Sequence, residues 1–212
     1  MSPEVRALWE LIEKRIDGGD PQAIDDEIWR RFGGEWTVMA TDLAGFSRQV
    51  AKFGIVHFLQ TIHEQTRRLA PIVAHHGGHL VKTEADSMLI LFSSAAAAMR
   101  SALAMQAACN AFSETRAPED KILLCIGIGH GKVLKIGDHE IFGHEVNLAS
   151  KLGEDTAKAH EILATPSARA AIGDVDGVTW EQVRVDGVSW EEYRVDYAGE
   201  TMCWRARYRI GK

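Results

Sequence analysis

Apolar side chains recur at Val5, Leu8, Trp9, Ile12 and Ile16, the spacing of one helical face. Ser2-Pro3 opens that segment and Gly18-Gly19 closes it, as helix start and stop signals do. A second helix is predicted from Asp20-Pro21, with Ile24, Ile28, Trp29 and Phe32 on one side and Gly33-Gly34 at its end. The pattern then switches to alternation over Trp36–Thr41, which reads as a strand ending at Asp42 and Gly45. A long helical stretch follows, carrying Ile55, Phe58, Leu59, Ile62, Leu69, Ile72 and Val73 on one face, and Pro71 is expected to kink or restart it. His75-His76-Gly77-Gly78 ends the helix. Two apolar runs, Leu80-Val81 and Met88–Phe92, flank the polar Lys82–Asp86 and predict a hairpin with a polar turn.

Beyond the hairpin, Ala95–Cys109 reads as an Ala-rich helix, Lys121–Gly127 as a buried strand and Gly131–Ile136 as another. Glu145–Lys158 is a predicted helix, Glu161–Thr165 a short strand and Pro166–Ile172 a short helix. Near the C-terminus, residues 178–186 are nearly repeated as 188–196, a ten-residue period that predicts adjacent strands of a meander. The last strand, Met202–Ile210, puts Met202, Trp204, Ala206 and Tyr208 on one face and Arg205, Arg207 and Arg209 on the other, a charged row typical of a solvated edge. This order of elements is α+β, with helices packed on an antiparallel or mixed sheet. It divides the chain into a helical appendage, residues 1–35, and a main domain, residues 36–212. The appendage either packs on its own domain or serves as a dimerisation or regulatory device; apolar stripes alone do not name a partner.

Composition narrows the class. The 212 residues are 46% hydrophobic and 25% charged, the balance of a soluble globular chain. With 24 basic and 30 acidic side chains the net charge is −6, which excludes broad nucleic-acid binding. The longest runs without Lys, Arg, Asp or Glu are 13 residues, whereas a membrane span needs roughly 20 apolar positions, so no membrane insertion is expected. Three cysteines without CxxC spacing fit a reducing cytosol, and Cys109 reads as a small core residue. A cytoplasmic protein is expected. His75, His76 and His79 precede or flank a Gly-Gly helix end, where histidines are expected from capping and dipole effects without any zinc. Gly127-Ile-Gly129-His-Gly131 is followed by no helix start, so it is not a dinucleotide loop.

The chemistry concentrates on two carboxylates. Asp42 follows a predicted strand and precedes Leu43-Ala44-Gly45-Phe46-Ser47, while Asp86 lies 44 residues on, in the hairpin turn. If the hairpin pairs beside the first strand, both carboxylates meet at one end of the sheet. Such a pair, with no His or Cys nearby, suits a hard cation such as Mg²⁺ or Mn²⁺ and a substrate that supplies phosphate oxygens. The 43–47 loop offers backbone N–H groups at a helix start, where anions bind.

Here the sequence resembles a known family. Ala40-Thr-Asp42-Leu-Ala-Gly45-Phe46-Ser47 is similar to the "aDivGFt" motif of the class III nucleotidyl (adenylyl/guanylyl) cyclase catalytic domains. His76-Gly77-Gly78-His-Leu-Val-Lys82-Thr-Glu-Ala-Asp86 is similar to "hGG.vvKtiGD", Ile126–Gly131 to "igIhtG", and Ile141–Leu152 to "v.GdtVNlAaRl". Four motifs in order across residues 36–170 make the resemblance specific. It implies a ferredoxin-like βαββαβ core with extra C-terminal strands, in a homodimer with active sites at the interface. It implies that Asp42 and Asp86, helped by the Leu43 carbonyl, hold two Mg²⁺ or Mn²⁺ ions per site. The backbone of Leu43, Ala44, Gly45, Phe46 and Ser47 would hold phosphates. Lys82 and Glu140 would contact the base, and Asn147 and Lys151 would act catalytically from the partner subunit. The implied reaction converts a nucleoside triphosphate, ATP before the others, into a 3′,5′-cyclic nucleotide and pyrophosphate.

Three positions depart from the motifs. Glu140 stands where Asp is usual, which bears on the choice of base. Lys151 replaces Arg, keeping the charge and losing the planar fork. The segment between Gly131 and Gly143 is shorter than usual, where the family has a dimerising arm. No Lys lies between Lys158 and Lys212 to serve the triphosphate, which leaves that duty to a C-terminal arginine. The alternatives are a cyclase for another base, such as GTP or a pyrimidine nucleotide, and a non-catalytic domain that binds nucleotide or a partner.

Overall fold

A computed structural model describes residues 2–185 and 202–209. The chain opens with helices α1 (Pro3–Ile16) and α2 (Pro21–Phe32), each with a capping side chain: Ser2 Oγ accepts from the Val5 amide and Asp20 Oδ1 from that of Gln22. Strand β1 (Gly33–Leu43) starts at once, so Gly33-Gly34 belongs to the strand as well as ending the helix. Next come α3 (Phe46–Phe53) and α4 (Ile55–His75), divided at Gly54, whose φ of +85° suits glycine. The restart expected at Pro71 does not occur: α4 runs through it as one helix, with Pro71 on its exposed side.

The hairpin is β2 (His79–Glu84) and β3 (Ser87–Phe92). Its turn is only Ala85-Asp86, so Lys82, expected in a longer polar turn, lies within a strand. Helix α5 (Ala95–Ser113) leads to β4 (Leu124–Ile136). This single strand of 13 residues replaces the two expected over 121–136, because β1 pairs with it without a break from Gly33↔Leu134 to Leu43↔Leu124. Then follow β5 (Glu140–Phe142), α6 (His144–Ser150) and a π-helical segment over Lys151–Thr156. The chain continues through β6 (Ile162–Ala164), α7 (Pro166–Ile172), β7 (Thr179–Arg184) and β8 (Met202–Arg207). The second copy of the ten-residue repeat, 188–196, lies outside the described residues.

Strands β2-β3-β1-β4 are neighbours in that order and mutually antiparallel, the sheet of a ferredoxin-like βαββαβ core. β6 extends the sheet parallel to β4, then β8 and β7 follow antiparallel, giving the extra C-terminal strands. Alternate residues of β1 define the two layers. Met39 and Leu43 join the larger core with Leu69 and Val73 of α4, Met99 and Met105 of α5, and Ala168 and Ile172 of α7. Val38 and Ala40 face the other way, against Val146 and Ala149 of α6.

Helices α1 and α2 bury Leu8, Leu11 and Ile28 on Ile136 at the far end of β4 and leave Trp9, Ile16 and Trp29 largely exposed. On β8, Trp204 and Ala206 face the larger core, whereas Arg205 pairs with Glu161 at 2.9 Å and Arg207 with Glu181. Among the described residues, no helix is long and apolar enough to cross a membrane.

Glycine sets how closely α6 approaches the sheet. A Cβ on Gly127 would lie 2.2 Å from the Ala149 carbonyl oxygen and 2.4 Å from the Gly153 amide. On Gly129 it would lie 2.4 Å from the Glu145 carbonyl oxygen, and on Gly153 2.5 Å from that of Ala40. Backbone therefore rests on backbone, and no side chain can yield. Gly127→Ala should cost on the order of 3 kcal/mol, the upper range for overpacking, read as a lowered urea midpoint at unchanged m-value.

Candidate active site

Asp42 is the penultimate residue of β1, paired in register with Cys125, and Asp86 occupies the β2–β3 turn beside it. β3 pairs directly with β1, so the turn places Asp86 at the end of the sheet where β1 finishes. The Leu43 main chain hydrogen-bonds to both carboxylates, and Ser87 Oγ donates to Asp42 Oδ1 at 3.4 Å. Burial, the Asp86 charge and a hydrogen bond with Asp86 raise the Asp42 carboxyl from 3.8 to about 7. Burial raises Asp86 as well. The two titrate as a pair that holds on to a proton near neutrality.

Asp86 is 7% exposed, and its Oδ2 has no hydrogen-bond partner. A buried, unpartnered carboxylate oxygen beside a second carboxylate is what a hard divalent cation satisfies, and the all-oxygen donors fit Mg²⁺ or Mn²⁺. Among the described residues, no group of three or more His, Cys, Asp or Glu is arranged to hold a metal ion. A cation there would take two carboxylates from the protein and its remaining oxygens from other sources. His76 and His79 bond instead to the carbonyls of Ile72 and Asp138, at 2.9 and 2.8 Å.

The loop after Asp42 is partly committed. The Ala44 amide donates to the Leu123 carbonyl at 2.9 Å, which takes that N–H out of any anion site. Gly45 turns the chain with φ of +86°, and α3 begins at Phe46, whose ring packs edge-on to Phe58 at 4.1 Å. Gly45, Phe46 and Ser47 thus stand at a helix start, where backbone amides lack intrahelical partners.

Of the other predicted residues, Lys82, Asn147 and Lys151 lie on the α6 side of the sheet, whereas Glu140 pairs with Ile136 on the opposite face. Lys82 sits opposite Leu89, which sits opposite Ala40, and its Nζ pairs with Glu84 at 2.9 Å. The β4–β5 connection reaches across to β2, with His139 Nδ1 3.4 Å from the Val81 carbonyl oxygen. That contact makes Lys82 and Glu140 sequence neighbours of touching residues. Asn147 is exposed on α6, and Lys151 opens the π segment with its Nζ 2.7 Å from Asp155 Oδ2. Among the described residues, no hydrogen bond or ion pair joins Lys82, Glu140, Asn147 or Lys151 to Asp42 or Asp86.

Three polar residues absent from the sequence reading support this arrangement. Glu145 accepts from the His130 amide at 3.0 Å, Thr165 Oγ1 at 2.9 Å and Ser167 Oγ at 2.8 Å, fixing α6 to β4 and to the start of α7. Glu154, on the π segment, is raised by burial and by the charge of Asp42, which puts a third carboxylate in the field of the pair. Gln65 of α4 donates to the Asp86 carbonyl. Only Gln65 left a visible signal: it interrupts the apolar face between Phe58 and Leu69.

The family model described as "Adenylate and Guanylate cyclase catalytic domain" matches residues 32–198. A Rhizobium meliloti protein provisionally named adenylate cyclase 3 is 30% identical over 138 residues, 65% of this chain and 22% of that protein. An adenylate cyclase of Streptomyces coelicolor is 35% identical over 163 residues, 71% of this chain and 39% of that protein. The chain thus spans well under half the length of these curated relatives. A solved structure of an adenylate/guanylate cyclase/hydrolase from Silicibacter pomeroyi is similar with a TM-score of 0.66 at 26% identity, covering 82% of this chain and 96% of that one.

The carboxylate pair sets a pH dependence. A carboxyl raised from 3.8 to about 7 keeps its proton in the folded state after the unfolded chain has lost it. Its contribution is therefore fully present below pH 3.8 and is lost as pH rises through about 7. Metal-free protein should unfold at lower urea at pH 7.5 than at pH 5. Asp42→Asn should flatten that fall, and saturating Mn²⁺ should reverse it in the wild type only.

Proposed function

The chain belongs to the adenylate and guanylate cyclase catalytic domain family, and on that premise we propose that it converts ATP to 3′,5′-cyclic AMP and pyrophosphate as a homodimer. The Asp42–Asp86 pair carries this reading: two adjoining carboxylates, one with an orphaned buried oxygen, at the end of a sheet beside a helix start. The names of two relatives favour adenine. Two divalent ions held by Asp42, Asp86 and the Leu43 carbonyl would supply Lewis acidity toward the ribose 3′-hydroxyl and neutralise the phosphates.

The chain's own groups do the rest. The free amides of Gly45, Phe46 and Ser47 receive phosphate oxygens. Lys82 donates to an adenine ring nitrogen, and Glu140 accepts from the exocyclic amine. Asn147 orients the ribose so that its 3′-oxygen lies in line with the bond to be broken. The 3′-oxygen forms a bond to the α-phosphorus, the bond from that phosphorus to the β-phosphate oxygen breaks, and the hydroxyl proton passes to water. Lys151 then answers the charge that grows on the α-phosphate, so it serves the transition state more than the ground state. Its pairing with Asp155, like that of Lys82 with Glu84, is an exposed ion pair worth about 0–1 kcal/mol, which a triphosphate can displace.

A homodimer would account for the lack of any hydrogen bond or ion pair between the two groups among the described residues. Asn147 and Lys151 of one protomer would complete the carboxylate site of the other, and a two-fold axis makes two such sites. One observation favours a second reading of the base. Glu84 lies 2.9 Å from Lys82, so a carboxylate stands ready to accept the ring N–H that guanine presents. Incubation with Mn²⁺ and each of the four nucleoside triphosphates, followed by mass spectrometry, decides between them. Cyclic AMP as the main product is expected; cyclic GMP as the main product supports the second reading, and no cyclic product from any of the four leaves a non-catalytic domain.

Complementation tests the shared site. Asp86→Ala and Asn147→Ala homodimers should each be nearly inactive. After verified subunit exchange, half of the dimers are mixed and each mixed dimer keeps one intact site of two. An equimolar mixture should therefore regain about a quarter of wild-type activity, given the two-fold interface. Exchange without recovery, with both variants folded, would place each site within one chain.

A further inference from the structure

The turn that carries Asp86 is under three opposing demands. Ala85 adopts φ of +50°, a left-handed conformation that costs a residue with a Cβ on the order of 1 kcal/mol, at a hairpin position where glycine is preferred. Asp86 lies against the Asp42 carboxylate. Its Oδ2 is buried without a partner. Each demand would be relieved if the turn relaxed and swung Asp86 outward.

Besides the Leu43 main-chain hydrogen bond to the Asp86 carboxylate, a side chain from α4 opposes this. Gln65 is 1% exposed on the apolar face of α4, and its Nε2 donates to the Asp86 main-chain carbonyl at 3.0 Å. Its Oε1 has no hydrogen-bond partner. A buried amide with an unmet acceptor costs stability, and Leu or Met would fill the same stripe without that cost. The amide's one hydrogen bond goes to the residue whose side chain forms the carboxylate pair.

We propose that Gln65 is a positioning residue: from the helix layer behind the sheet it clamps the Ala85-Asp86 turn and so aims the Asp86 carboxylate at the cation. This rests on the metal-site reading proposed above. Gln65 touches neither substrate nor metal and acts only through the turn. Its effect is to hold Asp86 beside Asp42 before a cation arrives, so that the cation does not have to gather the pair.

The test uses the full chain without nucleotide. Gln65→Met keeps the length of the side chain and removes the donor; Gln65→Leu is the second variant. Mn²⁺ alone is titrated by electron paramagnetic resonance, and amide hydrogen exchange is followed at residues 84–87. The expected result is a thermal midpoint equal to or above that of the wild type, Mn²⁺ binding weakened about five- to tenfold, and faster exchange at Asp86 and Ser87. Adding Ala85→Gly to Gln65→Met should restore part of the binding and protection, because glycine takes the left-handed conformation without the clamp.

Wild-type exchange and Mn²⁺ affinity in a folded Gln65→Met or Gln65→Leu protein would overturn the proposal. Collapse of the fold in both variants would overturn it as well, by assigning Gln65 to the core. If wild type and Asp86→Asn bind Mn²⁺ equally, the metal reading fails instead, and the exchange data still decide whether the clamp exists.

Discussion

At Gly127 a Cβ would meet the Ala149 carbonyl oxygen at 2.2 Å, and at Gly153 it would meet that of Ala40 at 2.5 Å. Helix and sheet therefore touch through their main chains at both places. Packed side chains ordinarily hold a helix some 10 Å from a sheet, and glycine removes that spacer. The contact fixes α6 against β1 and β4 at the Ala40–Gly127 pair, two residues along the strands from the Asp42–Cys125 pair. It also accounts for the π segment, since regular winding gives way where Gly153 must lie flat on Ala40. Glu145 anchors the other end of α6 with three hydrogen bonds. Between these two anchors stand Asn147 and, just past the end of α6, Lys151, on a helical stretch that has little freedom to shift.

The carboxylate pair depends on the same sheet from the opposite direction. β1 and β3 are antiparallel neighbours, so the end of β1 and the start of β3 lie side by side, and the two-residue turn has nowhere else to be. Burial there raises both carboxyl pKa values, the Asp86 charge adds to the rise at Asp42, and an acceptor is left unmet. Those are costs to the fold. A protein keeps such an arrangement where a ligand of opposite charge completes it, and the all-oxygen donor set selects a hard cation. The tension between stability and use is thus confined to two adjacent side chains and the turn beneath one of them.

Much of this was legible in the sequence. Alternation located β1, the twin apolar runs located the hairpin, and the spacing of Asp42 and Asp86 then placed both carboxylates at one sheet end. Errors arose where backbone pairing overrode local pattern. The glycines of 127–131 read as a break, whereas pairing with β1 carries β4 straight through them. Lys82 read as a turn residue because it is polar, yet its place in the ladder opposite Leu89 makes it a strand residue. Pro71 reads as a kink or a restart, yet α4 continues through it as a single helix. Trp9 and Ile16 share the predicted apolar face of α1 with Leu8, yet α1 buries Leu8 and Leu11 on this chain and leaves Trp9 and Ile16 exposed. None of Glu145, Glu154 and the pairing of the Ala44 amide could be inferred from spacing, because each depends on which strand lies beside which.

The two groups of site residues differ in how they are held, and the difference fits the chemistry assigned to them. Asp42, Asp86 and the helix start are tied to buried elements: the β1–β3 ladder, Gln65 from α4 and the Leu123 carbonyl. Lys82, Glu140, Asn147 and Lys151 are exposed or in ion pairs that water already weakens. A cation must find its ligands gathered in advance, since drawing two repelling carboxylates together at the moment of binding would subtract from affinity. Base, ribose and α-phosphate contacts need no such preparation, because none of them brings two like charges together. In the proposed dimer the carboxylate pair would come from one protomer and Asn147 and Lys151 from its partner, so that closing the interface around a bound triphosphate would assemble the site. The fold would then strain only the half that must be ready first.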